Sequence, residues 1–401
     1  MNITQKGETM SSSTLIENLV HVLEEINVSA FLDNWGPKYI IQVYNPEKVV
    51  QGLLIIDNTV LGPGNGFINL SQNMSPRDLF INARTMTWSC AVNNVNFGGA
   101  AAWIKMDPAS KDKLEAMKVY AMEIAPYIPN QFIASPGMNL GQNEMKAFVE
   151  ALGDRKGATG KPISMDGIPF EFGVLELGMS VSIETVLEMA GLGKNLPKGM
   201  SESRIAIQGF DTIGVKIAKY LFNKGAKIVA LGDDSGTIFS DKGIDIVKTF
   251  NASSEGTPLP PLSSIKNVRK SSPESIIEID CNVLVLPTAK DLITEKNVNN
   301  IKAQSIVEGV NKPINAVADQ TLCEKGVTII PDILTISGAP ISSFAEFTRV
   351  RYDRAFSLIE KRVRETVKNL TQRAFESGIP LRRQSIEVAK EKIIRTMEDK
   401  I

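Results

Sequence analysis

Short apolar runs separated by turn-forming residues dominate the first part of the chain. Residues 39–57 are rich in valine and isoleucine and break at Asn45-Pro46, which is typical of short strands joined by a turn. Glycine-rich stretches follow at residues 62–66 and 96–99, and their composition predicts loops. The pattern therefore predicts strands in the first part of the fold, interrupted by two flexible connections.

Helical periodicity alternates with these runs. Residues 75–88 predict a helix capped by Ser75, since Pro76 is favourable at the first helical position. Residues 110–127 predict a second helix. Apolar residues recur at helical spacing again over 179–192, where glycines end the pattern. The first part of the chain thus has the pattern of a mixed α and β domain.

A strand–turn–helix–strand unit begins after this helix. Residues 204–208 predict a strand, a glycine turn leads into a helix ending near Asn223, and residues 227–231 predict the next strand. Three later apolar runs each precede a loop, as expected for a doubly wound parallel sheet. These runs are residues 283–286, 305–307 and 327–330.

The fold class predicted is α/β with two domains. Residues 1–180 would form a mixed α/β domain for substrate and oligomerisation, and residues 181–344 a Rossmann-type dinucleotide-binding domain. The charged, largely helical tail over 345–401 needs a surface on which to pack. We expect it to pack back on the first domain.

The glycine turn departs from the usual dinucleotide fingerprint. Gly209 and Gly214 hold the first and third glycine positions, but Asp211 stands at the second, where backbone normally approaches the diphosphate. Asp233 lies where an acidic residue accepts from a ribose hydroxyl, which favours NAD over NADP. Two interpretations stay open: a turn that binds NAD, and a turn that only joins strand to helix.

Composition narrows the classes of function. The 401 residues carry 44 basic and 45 acidic side chains, so no overall field recruits nucleic acid or a membrane. Three scattered cysteines predict neither a disulfide framework nor a metal site, and they fit a reducing, cytoplasmic setting. The polar N-terminus does not predict a secretory signal. His21 lies in an apolar-periodic segment, which favours a packed residue over a catalytic one.

Several blocks in one order resemble the glutamate, leucine, phenylalanine and valine dehydrogenases, and among them the hexameric glutamate dehydrogenases. The similarity spans about residues 40–350 in both predicted domains. It is carried by Ile41-Gln42-Val43-Tyr44-Asn45-Pro46, Met86-Thr87-Trp88, Asn96-Phe97-Gly98-Gly99-Ala100, Ile124-Ala125-Pro126-Tyr127, Thr159-Gly160-Lys161-Pro162, Pro287-Thr288-Ala289, Val307-Glu308-Gly309 and Pro331-Asp332-Ile333-Leu334.

The resemblance implies oxidative deamination of an amino acid with hydride transfer to NAD, but the residues for this chemistry are replaced. The family's catalytic lysine corresponds to Ala101, and its catalytic aspartate to Gly137. The lysines that hold the substrate carboxylates correspond to Asn65 and Ser89. Ser343 matches a serine that contacts the substrate in relatives. No catalytic residue of the family is therefore retained.

Two aromatic residues accompany these losses. Phe67 and Trp103 each replace a glycine of the family pattern, so we expect the pocket to be partly filled. The cofactor-binding positions implied by the resemblance are Gly209, Asp211, Gly214, Asp233, Thr288 and Asn311.

Three hypotheses follow. The first is a catalytically silent regulatory subunit in a homo- or hetero-oligomer, hexameric by resemblance, that binds an amino acid or a nucleotide. The second is an active NAD-dependent dehydrogenase with a rebuilt apolar pocket, whose base would be Lys105 or Glu176. The third is a small-molecule binding module whose cleft still closes between the domains.

Overall fold

The computed structural model describes most of the chain. The residues described are 3–5, 8–10, 32–48, 50–189, 196–197, 199–250, 259–309 and 312–400. His21 and Asn311, both named above, lie outside these ranges.

A five-stranded sheet forms the centre of the first part of the fold. Its strand order is β3-β4-β6-β5-β7; β5 runs parallel to both β6 and β7, and the remaining pairs are antiparallel. A separate antiparallel hairpin precedes it. The bounds are β1 Ile3–Gln5, β2 Glu8–Met10, β3 Tyr39–Asn45, β4 Val50–Asn58, β5 Gly64–Ser71, β6 Gly98–Lys105 and β7 Phe132–Pro136.

The two glycine-rich stretches are only partly the loops that their composition predicts, since 62–63 and 96–97 lie outside the strands. The segments 64–66 and 98–99 already belong to β5 and β6. A Cβ on Gly66 would lie 1.9 Å from the carbonyl oxygen of Ala100, and one on Gly98 would lie 1.7 Å from that of Asn58. Glycine is therefore required here by close packing of backbones in the sheet, and not by chain flexibility.

Three helices cover the sheet. The apolar residues of α1 pack on one face of the sheet. The helices α2 and α3 form a hydrophobic core with the other face. The predicted cap is confirmed, since the hydroxyl of Ser75 accepts a hydrogen bond from the backbone of Asp78 at 3.1 Å. The bounds are α1 Pro76–Val92, α2 Lys113–Glu123 and α3 Gln142–Leu152.

A seven-stranded sheet forms the second part, with strand order β11-β10-β9-β8-β12-β13-β14. The adjacent strands β9, β8, β12, β13 and β14 are parallel, as predicted. The strands β10 and β11 add an antiparallel edge. The bounds are β8 Arg204–Gln208, β9 Lys227–Asp233, β10 Gly236–Phe239, β11 Arg269–Ser271, β12 Val283–Leu286, β13 Ser305–Glu308 and β14 Thr328–Ile330.

Helices lie on both faces of this sheet, so its strands are apolar on both sides. The helix α4 contains residue 180, so the predicted division between 180 and 181 falls inside a helix. The bounds are α4 Val174–Glu188, α5 Thr212–Asn223, α6 Ile246–Phe250, α7 Ala316–Glu324, α8 Asp332–Thr335 and α9 Gly338–Phe347.

The tail forms two long helices, α10 Tyr352–Ser377 and α11 Leu381–Glu398. Arg364 of α10 forms ion pairs with Glu184 and Glu188 of α4 at 2.7 and 2.9 Å. Near the end of the chain, Lys400 donates a hydrogen bond to the carbonyl oxygen of Val60. The tail therefore contacts both parts of the fold. None of the described helices is long and apolar enough to cross a membrane.

Candidate functional site

A buried polar cluster joins the five-stranded sheet to α9. The side-chain amide of Asn65 donates to the carbonyl oxygen of Ile133 at 3.1 Å and to the hydroxyl of Ser135 at 2.9 Å. The hydroxyls of Ser135, Thr159 and Ser343 lie 2.8 to 3.0 Å from one another. All four polar side chains are buried, and Asn65 Oδ1 has no hydrogen-bond partner. These residues bind one another and leave little capacity for a charged ligand.

Phe67 lies at the centre of the same sheet face. It pairs with Ser135 across β5 and β7, and the β5–β6 register places it level with Ala101. Its ring packs edge-on against Phe170 at 6.4 Å between centroids. The methyl group of Ala101 is buried in an apolar cluster that includes Leu79 of α1. The neighbourhood of Ala101 is therefore apolar.

Gly137 follows β7 in a space closed by its neighbours. A Cβ at this position would lie 2.5 Å from Asn69 Oδ1, 2.6 Å from the carbonyl oxygen of Ile68 and 2.9 Å from the Cβ of Phe67. Asn69 Oδ1 is itself fixed by the backbone N–H of Met138 at 2.9 Å. The local packing thus excludes a side chain at residue 137.

Ser89 of α1 belongs to a different polar group. Its carbonyl oxygen accepts from the side chain of Asn93 at 2.8 Å, and Asn93 also donates to the hydroxyl of Ser337 at 2.7 Å. The structure therefore brings Asn65 and Ser343 together through Ser135, but it does not connect Ser89 to that cluster.

Trp103 lies two residues beyond Ala101 on β6 and pairs with Asn69 of β5. Its indole N–H donates to the carbonyl oxygen of Ser71 at 3.1 Å, and its ring packs in the cluster beneath α1. Lys105, at the end of β6, is exposed. Four residues along a strand separate Lys105 from Ala101 by about 13 Å. This exposed residue is not part of the apolar cluster that holds Ala101.

In the glycine turn, Asp211 caps helix α5. Its Oδ1 accepts hydrogen bonds from the backbone N–H groups of Ile213 at 2.9 Å and Gly214 at 3.0 Å, and its Oδ2 accepts from the hydroxyl of Thr288 at 3.2 Å. A helix N-terminus is the place where a Rossmann domain binds the diphosphate. Here a carboxylate of the chain itself occupies these donors.

The two retained glycines have steric roles. Gly209 has φ +90°, and a Cβ there would lie 2.4 Å from Thr288 Oγ1. A Cβ on Gly214 would lie 2.4 Å from the carbonyl oxygen of Gly209. Both glycines are needed for the turn to pack on its helix, whether or not a nucleotide binds.

Asp233 ends β9, as predicted, but one carboxylate oxygen is engaged locally. Oδ1 accepts from the backbone N–H and the hydroxyl of Ser235 at 2.8 and 2.5 Å, and from the backbone of Gly236 at 3.2 Å. This side chain therefore stabilises the turn between β9 and β10.

Glu176 lies in the first turn of α4, near the dinucleotide turn. It forms an ion pair with Lys216 of α5 at 3.3 Å and is largely buried. Burial raises the pKa of its carboxyl group, and the charge of Asp211 adds to the increase while Lys216 opposes it. Glu176 is thus a carboxyl group with a raised pKa in this part of the fold.

An ionic cluster that the sequence did not predict lies at the carboxyl end of β13. Arg382 of α11 contacts Glu308 at 2.5 Å, Asp319 at 3.1 Å and Asp332 at 3.4 Å. Burial raises the pKa of Glu308 to about 7, although Arg382 opposes the shift. Asp332 also accepts from the hydroxyl of Thr85 on α1 at 3.3 Å. The cluster ties the tail and α1 to the seven-stranded sheet.

Two family models match the chain. The model of the Glutamate/Leucine/Phenylalanine/Valine dehydrogenases matches residues 177–400, and the model of the family's dimerisation domain matches residues 39–153. The chain belongs to this dehydrogenase family.

Individual relatives agree with the assignment. The NADP-specific glutamate dehydrogenase of Saccharolobus shibatae is 29% identical over 311 residues, which are 75% of this chain and 71% of that protein. The hetero-hexameric glutamate dehydrogenase of Thermus thermophilus, solved in a Leu-bound form, superposes with a TM-score of 0.78 at 23% identity, covering 96% and 97% of the two chains. The glutamate dehydrogenase of Peptoniphilus asaccharolyticus gives 0.73 at 20% identity, covering 95% and 99%.

Within the family's two-domain α/β fold, the replaced positions carry uncharged side chains. Ala101 lies in an apolar cluster, Gly137 is sterically closed, and Asn65 is hydrogen-bonded to neutral groups. Among the described residues, no group of three or more His, Cys, Asp or Glu side chains is placed to hold a metal ion.

Some residues of the site were not singled out from the sequence. Ser135 is the centre of the polar cluster, and Phe170 is the partner of Phe67. Ser342, next to Ser343, is buried with a hydroxyl that has no partner. Partners distant in sequence leave no local signal, and nothing in the residues around Ser135 predicted its contacts.

Proposed function

We propose that this chain is a catalytically silent, glutamate dehydrogenase-like subunit. The observation that carries the proposal is the position of Ala101, buried in an apolar cluster with Leu79 and Ala83 where the family's catalytic lysine is expected. A positioned acid or base contributes about 10²-fold to 10⁴-fold to a rate. A methyl group supplies none of this, and Gly137 removes the second titratable group.

The substrate contacts support the same conclusion. Asn65 and Ser89 carry no charge, so neither forms an ion pair with a substrate carboxylate. A hydrogen bond to a charged group contributes about 1.5–3 kcal/mol, and losing two such contacts should weaken a dicarboxylate by orders of magnitude. The Ser343 hydroxyl, in turn, is already bonded to Ser135 and Thr159. Phe67 and Phe170 narrow the space that remains.

The glycine turn does not fit a dinucleotide well. A diphosphate at the N-terminus of α5 would have to displace the Asp211 carboxylate from Ile213 and Gly214 and then lie beside its negative charge. Two charges about 4 Å apart repel by about 1 kcal/mol in water and by about 4 kcal/mol near a protein surface. We therefore infer that NAD binds weakly or not at all. Asp233 and Thr288 would then stabilise the local turns through their hydrogen bonds and not bind the cofactor.

A silent subunit acquires a role through assembly. The structure of the Thermus thermophilus enzyme is described as hetero-hexameric and Leu-bound, and by analogy we propose that this chain joins a homo- or hetero-oligomer, with a hexamer as the expected form. An amino acid or a nucleotide would then be its regulatory ligand. The proposed division into residues 1–180 with 345–401, and 181–344, assigns assembly to the first domain.

The second candidate is an active dehydrogenase with an apolar pocket. The pairing of Phe67 with Phe170 favours it, and Glu176 is its base, since the pKa of this carboxyl is raised by burial. Lys105, exposed at the end of β6, is the less favoured base. Under this alternative, Glu176→Gln should abolish turnover of an apolar amino acid, whereas Lys105→Gln should not.

Co-assembly tests the regulatory role. The tagged chain is captured from its native cell, and associated proteins are identified and assayed for glutamate oxidation. We expect a catalytic relative to co-purify and its rate to change when this chain is added back. A homo-oligomer that retains no relative and does not alter a relative's rate would contradict the regulatory role.

A further inference from the structure

Two lysines of the second part of the fold reach across to the first part. Lys216, on α5, donates a hydrogen bond to the backbone carbonyl oxygen of Glu171 and forms an ion pair with Glu176 at 3.3 Å. Lys290, in the loop that follows β12, forms an ion pair at 2.5 Å with Asp78 in the first turn of α1. The two parts are therefore linked by cations on two different elements.

Both lysines lie next to positions that the family resemblance assigns to the cofactor. Lys216 is two residues beyond Gly214, and Lys290 is two residues beyond Thr288. The hydroxyl of Thr288 also donates to Asp211 of the glycine turn at 3.2 Å. Because β8 and β12 are adjacent and parallel, both lysines extend from the same edge of the second sheet. Their contacts therefore bridge the cleft between the two parts at the candidate cofactor site.

The segment that receives Lys216 is anchored to the first part. The carboxylate of Glu171 accepts from the backbone N–H of Gln142, at the start of α3, at 2.7 Å. The preceding residue, Phe170, packs against Phe67 of the five-stranded sheet. The side chain of Lys216 is only 30% exposed. This contact is therefore screened little by salt, and it transmits force between the two parts.

The pair of Lys290 with Asp78 is more exposed. The two side chains are 51% and 29% exposed. Although burial acts in the opposite direction, hydrogen bonds from Lys290 and Ser75 hold the pKa of Asp78 below its usual value, so the carboxylate is charged at neutral pH. A negative side chain is also favoured at the N-terminus of a helix. The pair is thus ionic, and salt should weaken it.

The helix α1 contacts the second part at two depths. The hydroxyl of Thr85 donates to Asp332 of α8 at 3.3 Å, and this contact is buried. Asp78 lies seven residues earlier, about 10 Å along the helix, and its contact with Lys290 is exposed. The buried contact therefore lies at the base of the cleft, and the exposed ion pair closes its outer end.

From these contacts we propose that Lys216 and Lys290 form a clasp that holds the cleft closed without any ligand. The closed form is then the resting state of the chain, and a ligand enters the candidate cofactor site only when the clasp opens. The clasp is independent of the Asp211 cap, which occupies the helix donors and does not span the cleft. It is also independent of catalytic silence, because an active dehydrogenase with these contacts would be held closed in the same way.

Distances across the cleft test the proposal. Spin labels are attached to the full chain through Gln72→Cys and Lys296→Cys, two exposed positions that each lie six residues from the Asp78–Lys290 pair. Cys323→Ser removes the native cysteine that is not buried. Double electron–electron resonance measures the distances, and singly labelled proteins identify those between chains. We expect short distances to predominate in the parent without ligand.

Removal of the clasp should open the cleft. In Lys216→Gln/Lys290→Gln the ratio of short to long distances should fall at least about tenfold, because a hydrogen bond from a charged group and an exposed ion pair are both lost. Lys290→Gln alone should lower the ratio by about twofold to fivefold. At molar salt this single variant should match the parent, since the exposed pair is then screened in both.

The matched control is Lys219→Gln/Lys302→Gln. It removes two positive charges from the second part, and neither lysine forms an ion pair within the described ranges. We expect the distances of the parent. Three results would overturn the proposal: long distances that predominate in the parent, unchanged distances in both the folded double variant and Lys290→Gln, or an equal shift in the control.

Discussion

The carboxylate of Asp211 lies 3.0 Å from the backbone nitrogen of Gly214 and accepts its hydrogen bond. These two residues hold the second and third glycine positions of a dinucleotide fingerprint. The negative group at the N-terminus of α5 is therefore supplied by the protein. A turn that retains its shape through Gly209 and Gly214 has lost its accessible phosphate donors.

Removal of this carboxylate should restore affinity for a dinucleotide. In Asp211→Gly the N–H groups of Ile213 and Gly214 are freed and the repulsion is removed, so we expect NAD to bind at least about tenfold more tightly. Glycine is an acceptable N-cap, so the free energy of unfolding should fall by less than about 1 kcal/mol. Fluorescence titration with NADH measures the affinity.

Asp211→Asn is the matched control, because asparagine keeps the cap but not the charge. We expect an intermediate affinity, since the donors remain engaged. Unchanged affinity in both variants would mean that something other than Asp211 prevents binding.

The two neighbouring serines of α9 should differ in their effect on stability. Ser343→Ala breaks hydrogen bonds with Ser135 and Thr159 inside the core and should lower the free energy of unfolding by about 1–3 kcal/mol. Ser342→Ala removes a buried hydroxyl without a partner and should be neutral or stabilising. Urea unfolding measures both, and equal losses would show that the cluster contributes nothing specific.

Gly137 should tolerate no side chain. In Gly137→Ala the new methyl group would meet Asn69 Oδ1, the carbonyl oxygen of Ile68 and the Cβ of Phe67 at 2.5–2.9 Å. We expect a loss of about 1–3 kcal/mol in the free energy of unfolding, as for other overpacked sites. A variant as stable as the parent in thermal and urea unfolding would show that this position is open enough for the family's aspartate.

Glu308 should give the stability a distinct dependence on pH. Because the pKa of its carboxyl is raised to about 7 in the folded protein, the folded state holds more protons than the unfolded state between pH about 4.5 and 7. This contribution is present below the unfolded pKa and is lost as the pH rises through the folded pKa. The difference in unfolding free energy between the parent and Glu308→Gln should therefore fall by up to about 3 kcal/mol across this window.

Urea titrations of both proteins at several pH values measure this difference. Glutamine keeps the size of the side chain, and Asp319 and Asp332 still contact Arg382. A difference that is flat or rises with pH would mean that Glu308 is ionised throughout the window.

The sequence predicted those parts of the fold that depend on local pattern. The apolar runs at 204–208 and 283–286 are strands of the parallel sheet, and Ser75 caps the first helix. The glycine-rich stretches were interpreted correctly only in part, because a glycine required by backbone contacts, as at Gly66, cannot be told by composition from a glycine required by a turn.

The arrangement of the site depended on contacts between distant residues. Asn65 is bonded to Ser135 and, through it, to Ser343, 208 residues further along the chain. Nothing local to any of these residues predicts the contact. The sequence showed Asp211 at the second glycine position of the turn, but its direct occupation of the helix donors became visible only in the structure.

This member of the family should not carry out the family's chemistry, and turnover by the purified protein measures this directly. Reduction of NAD and NADP is followed by nicotinamide absorbance over a panel of amino acids, and the reverse reaction over keto acids with ammonia. The parent and Asp211→Gly are assayed together, so that restored cofactor binding alone is distinguished from catalysis. We predict no steady turnover by either protein, because Ala101 and Gly137 supply no acid or base. Turnover that co-purifies with the parent and is abolished by Glu176→Gln would show that the chain is an active dehydrogenase.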